Sequence, residues 1–240
     1  MIYIMSDMHG QYGRYKAMLE KIGLRDEDRL YILGDAIDRG PGSLEILFDI
    51  MSRDNVEMFL GNHEHMMLTF MEGSDRISWF YGVNGGKETY SRFKSLDQEK
   101  QKQIVDFLLY ETTVKKDLHL GKRRFILSHT SAINDGIDIY TKDHVHDLMA
   151  IQDIMWDMSD HNIGSIPKLP DTDKETFFIS GHIITRRLSG DNDDVFIQKY
   201  PNGYSWYDID CGCAMGSSFG YLSCLKIDEE GQILEIYYVR

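Results

Sequence analysis

The first 70 residues alternate between short apolar runs and longer segments whose apolar residues recur at helical spacing. The apolar runs are residues 2–5, 30–33 and 56–60, and each has a length typical of a buried strand. Between the first two runs, apolar residues three or four positions apart indicate one face of a helix: Tyr12, Tyr15, Leu19 and Ile22. This alternation predicts parallel strands joined by right-handed crossovers.

A second and a third helical region follow in the pattern. Ser43 is predicted to cap a helix that extends to Met51, because a serine side chain can accept hydrogen bonds from free backbone N–H groups at a helix start. The residues after His63 and most of 73–110 also have helical character. The latter segment is interrupted at 84–86, where the sequence is Asn-Gly-Gly.

From residue 112 onward the chain is rich in predicted strands. They are placed at 113–120, 124–128, 176–180, 205–209, 221–227 and 233–239. The segment 130–173 is predicted to be loop, apart from one helix at 145–156. An α/β first half and a strand-rich second half together predict an α/β fold in which two sheets pack together with helices outside. A chain of 240 residues is expected to form one domain, 1–240.

The charge of the chain narrows the range of partners. Its formal net charge is −13, and an acidic surface repels nucleic acid and anionic membranes, so neither is expected to bind. No apolar run reaches the roughly 20 residues of a membrane-spanning helix. A strand already begins at residue 2, so no signal peptide is expected. Three cysteines, an odd and low number, favour a reducing cytoplasm as the location. The oligomeric state stays open.

Five polar clusters follow apolar runs and carry the candidate chemistry. Three are 6–10 (Ser-Asp-Met-His-Gly), 34–40 (Gly-Asp-Ala-Ile-Asp-Arg-Gly) and 61–64 (Gly-Asn-His-Glu), and the other two are His129 and His182. In an open α/β sheet, ligands bind at the carboxyl ends of the strands. The clusters are therefore expected to meet at one edge of the fold.

The residue types in these clusters suit a metal site. Carboxylate, imidazole and amide groups together bind divalent ions such as manganese, iron, zinc and cobalt. Asp7 and His9 leave the first strand two positions apart, so both side chains can reach one ion. Asp35 lies in the central cluster and is predicted to bridge two ions, which could hold a hydroxide and clamp both oxygens of an in-line phosphoryl displacement.

Three further side chains suit phosphate chemistry. Arg39 presents a planar fork of donors for phosphate oxygens. His63 could protonate the leaving oxygen, and Asp38 could fix the tautomer of His63 and raise its pKa. Each cluster alone has a structural explanation, such as a turn, a salt-bridged loop or a buried histidine, but their joint occurrence favours a functional site. The segment 143–147, Asp-His-Val-His-Asp, is interpreted as a surface loop or helix cap.

At these residues the chain resembles the metallophosphoesterases, and more narrowly the PPP-type serine/threonine phosphatases of the small bacterial and phage kind. Trp79 with 84–86 and the stretch 209–213 also fall where that family has motifs. The resemblance implies a four-layer α/β-β/α sandwich, in which two mixed sheets are flanked by helices. It also implies two metal ions, the first held by Asp7, His9 and Asp35 and the second by Asp35, Asn62, His129 and His182.

The same resemblance implies an activity. The family hydrolyses phosphomonoesters by direct attack of a hydroxide held between two divalent ions, commonly manganese, with iron or zinc as alternatives. His63 would be the general acid, Asp38 its partner, and Arg39 and Asn62 would contact the phosphate. The predicted function is a phosphoprotein phosphatase, with a phosphoprotein or a small phosphorylated molecule as substrate. Two alternatives stay open: a symmetrical dinucleoside polyphosphate hydrolase, whose motifs are shared, and a non-catalytic metal-binding regulator.

The chain departs from the family pattern in three places, one of which is Thr130-Ser131, a loose fit to the small residues that relatives have after His129. Ser6 stands where relatives commonly have glycine, which is tolerated if Ser6 has an ordinary strand conformation. Relatives often have an arginine two residues after a tryptophan, whereas Trp156 is followed by Asp and Met. Losing one such phosphate contact would weaken binding by roughly 1.5–3 kcal/mol. Arg186 is predicted to replace it, with Arg187 and Arg14 as alternatives.

Overall fold

The computed structural model describes residues 1–74, 77–130, 148, 151–156, 175–190, 192–201, 203–216 and 219–240. The predicted helix at 145–156 lies partly outside these residues. The histidine-rich segment 143–147 lies wholly outside them.

The first sheet is built around the three parallel strands that the sequence predicts. β1 (Ile2–Met5) pairs in parallel with β2 (Arg29–Ile32), which pairs in parallel with β3 (Val56–Met58). Two antiparallel strands from the end of the chain extend the opposite side, β9 (Leu222–Ile227) and β10 (Ile233–Val239). The strand order is β10-β9-β1-β2-β3. The loops after β1, β2 and β3 therefore leave the sheet at one edge.

Helices connect and follow the strands of this sheet. Those described in the first half of the chain are α1 (Tyr12–Ile22), α2 (Ser43–Met51), α3 (Asn62–Glu72), α4 (Gly86–Ser95) and α5 (Gln98–Tyr110), with a 3-10 turn at Ser78–Phe80.

The prediction that Ser43 caps α2 is wrong. Gly42 occupies the capping position, and Ser43 is the first residue of the helix. The Ser43 hydroxyl is turned back toward the preceding loop, where it accepts the backbone N–H of Asp38 at 2.9 Å and donates to the carbonyl of Gly40 at 3.3 Å. Because the hydroxyl is hydrogen-bonded to backbone groups of this loop, it does not cap the helix.

The second sheet is formed by the strand-rich half of the chain. Its inner strands β5 (Arg123–Ser128), β6 (Glu175–Ser180) and β8 (Tyr204–Asp208) run parallel to one another. The edges are β4 (Lys115–Leu120) and β7 (Phe196–Lys199), both antiparallel to their neighbours, in the order β4-β5-β6-β8-β7. The sequence did not predict β7, because this edge strand alternates between half-buried and exposed residues and lacks an apolar run.

Two short helices belong to the second half. α6 (Gln152–Met155) is the described part of the helix predicted at 145–156. α7 (Thr185–Ser189) was not predicted, because five residues are too few to show a helical period. A further 3-10 turn lies at Cys213–Met215.

The two sheets pack face to face and helices cover their outer faces. One core cluster fills the space between the sheets and includes Ile4, Phe59 and Ile179. A larger cluster joins the first sheet to α1, α2, α3 and α5, and a smaller one places Leu188 of α7 near Trp206 on the outer face of the second sheet. This arrangement confirms the predicted fold class. Within the described residues, no helix has the length and apolar character needed to cross a membrane.

Candidate metal centre

Five loops meet at the carboxyl ends of β1, β2, β3, β5 and β6. The first two loops are joined by their backbones, because the N–H of Asp7 donates to the carbonyl of Gly34 at 3.1 Å and the N–H of His9 donates to that of Asp35 at 2.9 Å. The loop after β6 joins them, since the N–H of His182 donates to Asp7 Oδ2 at 3.1 Å. The positions of the candidate ligands are thus set by main-chain contacts.

Backbone strain is concentrated in these loops. Among the described residues other than glycine, a left-handed backbone with positive φ occurs at six positions, and all six are predicted site residues: Asp7, His9, Asp35, Asp38, Arg39 and His182. Such conformations cost of order 1–3 kcal/mol each and persist where the surroundings over-determine them. Strain confined to the predicted ligands and their neighbours is typical of a functional site rather than of ordinary turns.

Glu64, fully buried in the first turn of α3, anchors the central loop. Its Oε2 accepts the N–H groups of Asp35 at 2.9 Å and Gly61 at 3.0 Å, and its Oε1 accepts those of Ala36 at 2.9 Å and Ile37 at 3.2 Å. Burial raises the pKa of Glu64 to about 7, although these backbone donors oppose the rise. Sequence reasoning placed Glu64 in a motif but assigned it no role, because its four partners are defined only by the folded loops.

The first ligand group consists of Asp7, His9 and Asp35. Nδ1 of His9 donates to the carbonyl of Ile37 at 3.1 Å, so Nε2 carries the lone pair. This nitrogen lies 3.5 Å from Asp35 Oδ2 and 3.9 Å from Asp7 Oδ1. Within the described part of the chain, Asp7 Oδ1 is buried without a hydrogen-bond partner. A cation at this point would satisfy it.

The second ligand group shares Asp35 with the first. Asp35 Oδ1 lies 3.4 Å from His129 Nε2, and Asn62 Oδ1 lies 3.0 Å from both His129 Nε2 and His182 Nδ1. Nδ1 of His129 contacts the carbonyl of Leu33 at 2.7 Å, so its Nε2 is directed to the group. Asp35 therefore directs one carboxylate oxygen to each group, which is the placement that a bridging ligand requires.

The electrostatics of both groups fit a divalent metal. Burial, with Asp210 nearby, raises the pKa of Asp7 well above its usual value, and burial, with Asp7 nearby, raises that of Asp35. Burial lowers the pKa of His9 and His129, so both rings are neutral and offer lone pairs. Converging carboxylates and lone pairs repel one another unless a cation lies among them. Oxygen and nitrogen ligands of these types suit manganese, iron or zinc.

Arg39 and His63 lie beside the first ligand group. The Arg39 guanidinium donates to His9 Nε2 at 2.7 Å and to His63 Nε2 at 3.1 Å. Nδ1 of His63 donates to Asp38 Oδ2 at 2.7 Å, and its Nε2 lies 3.9 Å from Asp35 Oδ2. The structure thus brings together the predicted acid, its carboxylate partner and the predicted phosphate contact.

The predicted rise in the pKa of His63 is wrong. Burial, reinforced by the positive charge of Arg39, lowers the pKa of His63 well below its ordinary value. Asp38 does not outweigh these effects, because burial also raises the pKa of Asp38 to about 7 and so weakens its negative charge at neutral pH.

Ser6 is compatible with the first motif. It is not among the described residues with positive φ, and its hydroxyl donates to Asp7 Oδ2 at 2.5 Å. The loop after β6 approaches closely here, because a Cβ on Gly181 would lie only 2.0 Å from Asp7 Oδ2. Position 181, in the loop after β6, therefore has room only for glycine.

Two of the predicted replacement arginines have partners away from the ligands. Arg186 Nε lies 2.9 Å from Asp193 Oδ1, and its guanidinium lies over the Phe219 ring, 5.0 Å from the centroid. Arg14 donates to carbonyl oxygens of the turn at 213–216. These contacts do not bring either side chain to the ligand groups, so a role in phosphate binding stays a prediction.

The fold and the two candidate ligand groups are both compatible with a metallophosphoesterase. The chain belongs to the calcineurin-like phosphoesterase family, whose model matches residues 1–203. It is therefore a hydrolase of this family, and the resemblance to metallophosphoesterases is confirmed.

Relatives of known name share part of the chain. The symmetrical bis(5'-nucleosyl)-tetraphosphatase of Buchnera aphidicola subsp. Acyrthosiphon pisum (strain Tuc7) is 32% identical over 129 residues, which are 53% of this chain and 43% of the relative. The enzyme of the same name from Cronobacter sakazakii (strain ATCC BAA-894) is 40% identical over 76 residues, 31% of this chain and 27% of the relative. The match thus spans less than half the length of these relatives.

Solved structures share the fold over the whole chain. A metallophosphoesterase from Sphaerobacter thermophilus has a TM-score of 0.53 at 16% identity, with coverage of 100% of this chain and 88% of the other. A cold-active protein-tyrosine phosphatase of a psychrophilic Shewanella species has a TM-score of 0.57 at 15% identity, with coverage of 100% and 80%. At these identities the similarity establishes the fold alone.

Proposed function

We propose that the chain is a PPP-type phosphomonoesterase that removes phosphate from phosphoserine and phosphothreonine side chains of proteins. The observation that carries the proposal is the His63–Asp38 pair, joined at 2.7 Å, beside an Asp35 carboxylate that serves two ligand groups. Cleavage of a phosphoester needs a proton for the leaving oxygen and positive charge for the phosphate. This arrangement supports both requirements at one place.

The proposed cofactor is a pair of divalent ions, with manganese favoured and iron or zinc as alternatives. The residues that would hold them are Asp7, His9, Asp35, Asn62, His129 and His182. When bound, the ions would activate a water molecule and neutralise charge on the phosphate.

Side chains of the protein would bind the phosphate and supply the proton for the leaving group. The Arg39 N–H groups that donate to His9 and His63 would donate to phosphate oxygens instead when the substrate binds. Asn62 would also lie close to the phosphate. One water oxygen would bond to phosphorus as the ester P–O bond breaks, with no covalent enzyme intermediate. His63 Nε2 would give a proton to the leaving oxygen, while Asp38 holds Nδ1. The negative charge of a bound phosphate would favour the protonated form of His63.

A second candidate function is symmetrical hydrolysis of a dinucleoside tetraphosphate. The names of the sequence relatives support it. The acidic net charge of the chain supports the monoester instead, because a tetraphosphate chain needs more cationic contacts than Arg39, which lies at His9, can supply alone. Arg186 remains a proposed additional phosphate contact, with a smaller effect than Arg39 because it already pairs with Asp193.

A substrate panel with manganese tests the proposal. Phosphate release from phosphoserine and phosphothreonine peptides is compared with nucleotide products from diadenosine tetraphosphate, separated by chromatography. Higher kcat/KM on the peptides supports the protein phosphatase. Efficient turnover of the dinucleotide alone would make the dinucleoside tetraphosphate hydrolase the favoured function. In the same panel, Arg39→Ala should raise KM about 10- to 100-fold, the equivalent of one charged phosphate contact. Arg186→Ala should raise KM less, and an unchanged KM would remove Arg186 from the site.

A further inference from the structure

Asp38 has a second hydrogen-bond donor on the oxygen that holds His63. Asp38 Oδ2 accepts from His63 Nδ1 at 2.7 Å and from the indole N–H of Trp79 at 2.8 Å. The other oxygen, Oδ1, is buried and has no hydrogen-bond partner within the described residues. The indole is therefore a contact that can keep Oδ2, rather than Oδ1, directed at the histidine.

The position of Trp79 is set by a buried aromatic cluster. Its ring is fully buried in the 3-10 turn and stacks on Phe80, with centroids 5.5 Å apart and planes at 21°. Phe70 of α3 lies 5.6 Å away and Tyr90 of α4 lies 6.0 Å away, measured between ring centroids. Three aromatic contacts from different elements leave the indole little freedom to turn its N–H away from Asp38.

Two glycines after this turn let the chain press against both Trp79 and Arg39. A Cβ on Gly86 would lie 2.4 Å from Cδ1 and 2.5 Å from Nε1 of the Trp79 ring. A Cβ on Gly85, which has a φ of +80°, would lie 2.6 Å from the backbone nitrogen of Arg39. The interruption of the helix predicted at 84–86 is thus a close backbone contact. It holds the Trp79 indole and Arg39 in fixed positions relative to each other.

The backbone of Asp38 is also held in place, which leaves rotation of its carboxylate as the remaining freedom. Its φ is +72°, and its N–H donates to the Ser43 hydroxyl at 2.9 Å. Thr89 of α4 in turn donates to the same hydroxyl at 3.3 Å. With the backbone fixed by Ser43, the indole N–H is the donor beside His63 on Oδ2 that restrains the side-chain rotation, and the Thr89 hydroxyl also interacts with the Asp38 carboxylate.

We propose that Trp79 is a positioning residue for leaving-group protonation, acting through Asp38 on His63. This inference rests on the proposed function, because it needs His63 to be the general acid. The competing explanation is that Trp79 only packs in the core, and that its N–H bond to Asp38 satisfies a buried donor without affecting His63. The two explanations differ in one measurable property: a positioning role depends on how much the leaving group needs a proton, whereas a packing role does not.

The experiment compares two aryl phosphates with the manganese-loaded enzyme. 4-Nitrophenolate leaves readily without a proton, whereas phenolate, with a pKa near that of tyrosine at about 10, needs one. Trp79→Phe, which removes the N–H, should lower kcat on phenyl phosphate about tenfold more than on 4-nitrophenyl phosphate. Phe80→Leu, the matched control, disturbs the same aromatic cluster but leaves the indole N–H, and should lower both rates equally.

A second variant guards against misfolding of Trp79→Phe. Site-specific incorporation of benzothienylalanine at position 79 keeps the bicyclic shape and replaces only the N–H by sulfur. The same selective loss on phenyl phosphate is expected, with an unchanged melting temperature. Equal losses on both substrates, or no loss, for this variant would overturn the role of Trp79.

His63→Asn and Asp38→Asn separate this inference from the proposed function. Both should show the selective loss, and more strongly than Trp79→Phe. If these two variants show it and the position-79 variants do not, Trp79 is only a core residue. If neither His63→Asn nor Asp38→Asn shows it, the general acid assignment itself fails and the positioning role fails with it.

Discussion

The loops of the first sheet and those of the second sheet contribute to the site in different ways. The loops after β1, β2 and β3 carry the two proposed ligand carboxylates, the proposed phosphate contact and the proposed acid–base pair, and Glu64 joins four of their N–H groups. The loops after β5 and β6 contribute histidines. His129 is tied to the first sheet through its ring contact with Leu33, and His182 through its N–H bond to Asp7.

Strain follows the same division. Of the six non-glycine residues with positive φ in the described chain, five lie in first-sheet loops and one, His182, lies in a second-sheet loop. The first-sheet loops are strained and densely hydrogen-bonded to one another, so their geometry does not depend on the second sheet. His129 and His182 are held by fewer contacts. We infer that the first sheet determines the chemistry and that the second sheet mainly sets how tightly the metal is held.

The largest expected effect is at the residue that both groups share. Asp35→Asn removes the bridging charge, so both ions should be lost, and kcat/KM for 4-nitrophenyl phosphate should fall on the order of 10⁴-fold, the value of several kcal/mol of charge stabilisation. Bound manganese is measured by mass spectrometry beside turnover. Asp106→Asn, on the partly exposed side of α5, is the control and should behave as wild type. Retention of two ions by Asp35→Asn would show that Asp35 is not the bridge.

The next effect concerns the proton donor alone. On phenyl phosphate, whose leaving group needs a proton, His63→Asn should lower kcat about 10²- to 10³-fold, because general acid catalysis contributes roughly that much, while manganese content stays the same. His119→Asn, on the exposed edge of the second sheet, is the matched histidine control. Equal rates for His63→Asn and wild type would remove His63 from the mechanism, and no turnover by either protein would favour the non-catalytic regulator.

Glu64→Gln tests whether the first-sheet loops are one unit. An amide can accept with only one of its two ends, so two backbone N–H groups would lose their acceptor, and the free energy of unfolding should fall by roughly 2–4 kcal/mol. Urea unfolding of the metal-free protein measures it. A change under 1 kcal/mol would mean that the loops do not depend on this carboxylate.

The second-sheet contribution should be smaller and reversible. His182→Ala removes one proposed ligand of the second group, so manganese affinity should weaken by at least about 10- to 100-fold, the cost of losing only a hydrogen-bond partner of a metal ligand. Saturating manganese should restore most of kcat, measured by titrating the metal against turnover. If high manganese leaves kcat as low as for Asp35→Asn, the division between the two sheets is wrong.

The smallest effect is on pH dependence. Asp7 and Asp35 have raised pKa values in the metal-free fold, so that fold is stabilised at low pH and loses this stability as pH rises toward the raised values. A cation must displace the same protons, and so it binds more tightly at higher pH. The manganese-induced rise in melting temperature should be about 2–4 °C larger at pH 8 than at pH 6.5. Histidine protonation would weaken manganese binding in the same direction, but burial lowers the pKa of His9 and His129, so both rings stay neutral above pH 6.5. A larger rise at pH 6.5 would contradict the raised carboxylate pKa values.

The sequence predicted most of the strands and brought the ligands to one edge, because apolar runs and the polar residues after them are local patterns. It could not predict β7 or α7, which are too exposed or too short to show a period. The roles of Glu64 and Trp79 were also out of reach. Glu64 bonds to residues up to 29 positions away, and Trp79 bonds to a carboxylate 41 positions away, so both contacts exist only after folding.

One titration tests the central claim that two ions on shared ligands make this chain a phosphoesterase. Manganese is added stepwise to metal-free protein, and bound metal and turnover of 4-nitrophenyl phosphate are measured in the same samples. Turnover should rise with bound manganese and saturate at two ions per chain, and Asp35→Asn should show neither two bound ions nor turnover. Full turnover without bound metal, or two bound ions without turnover of any phosphoester, would contradict it.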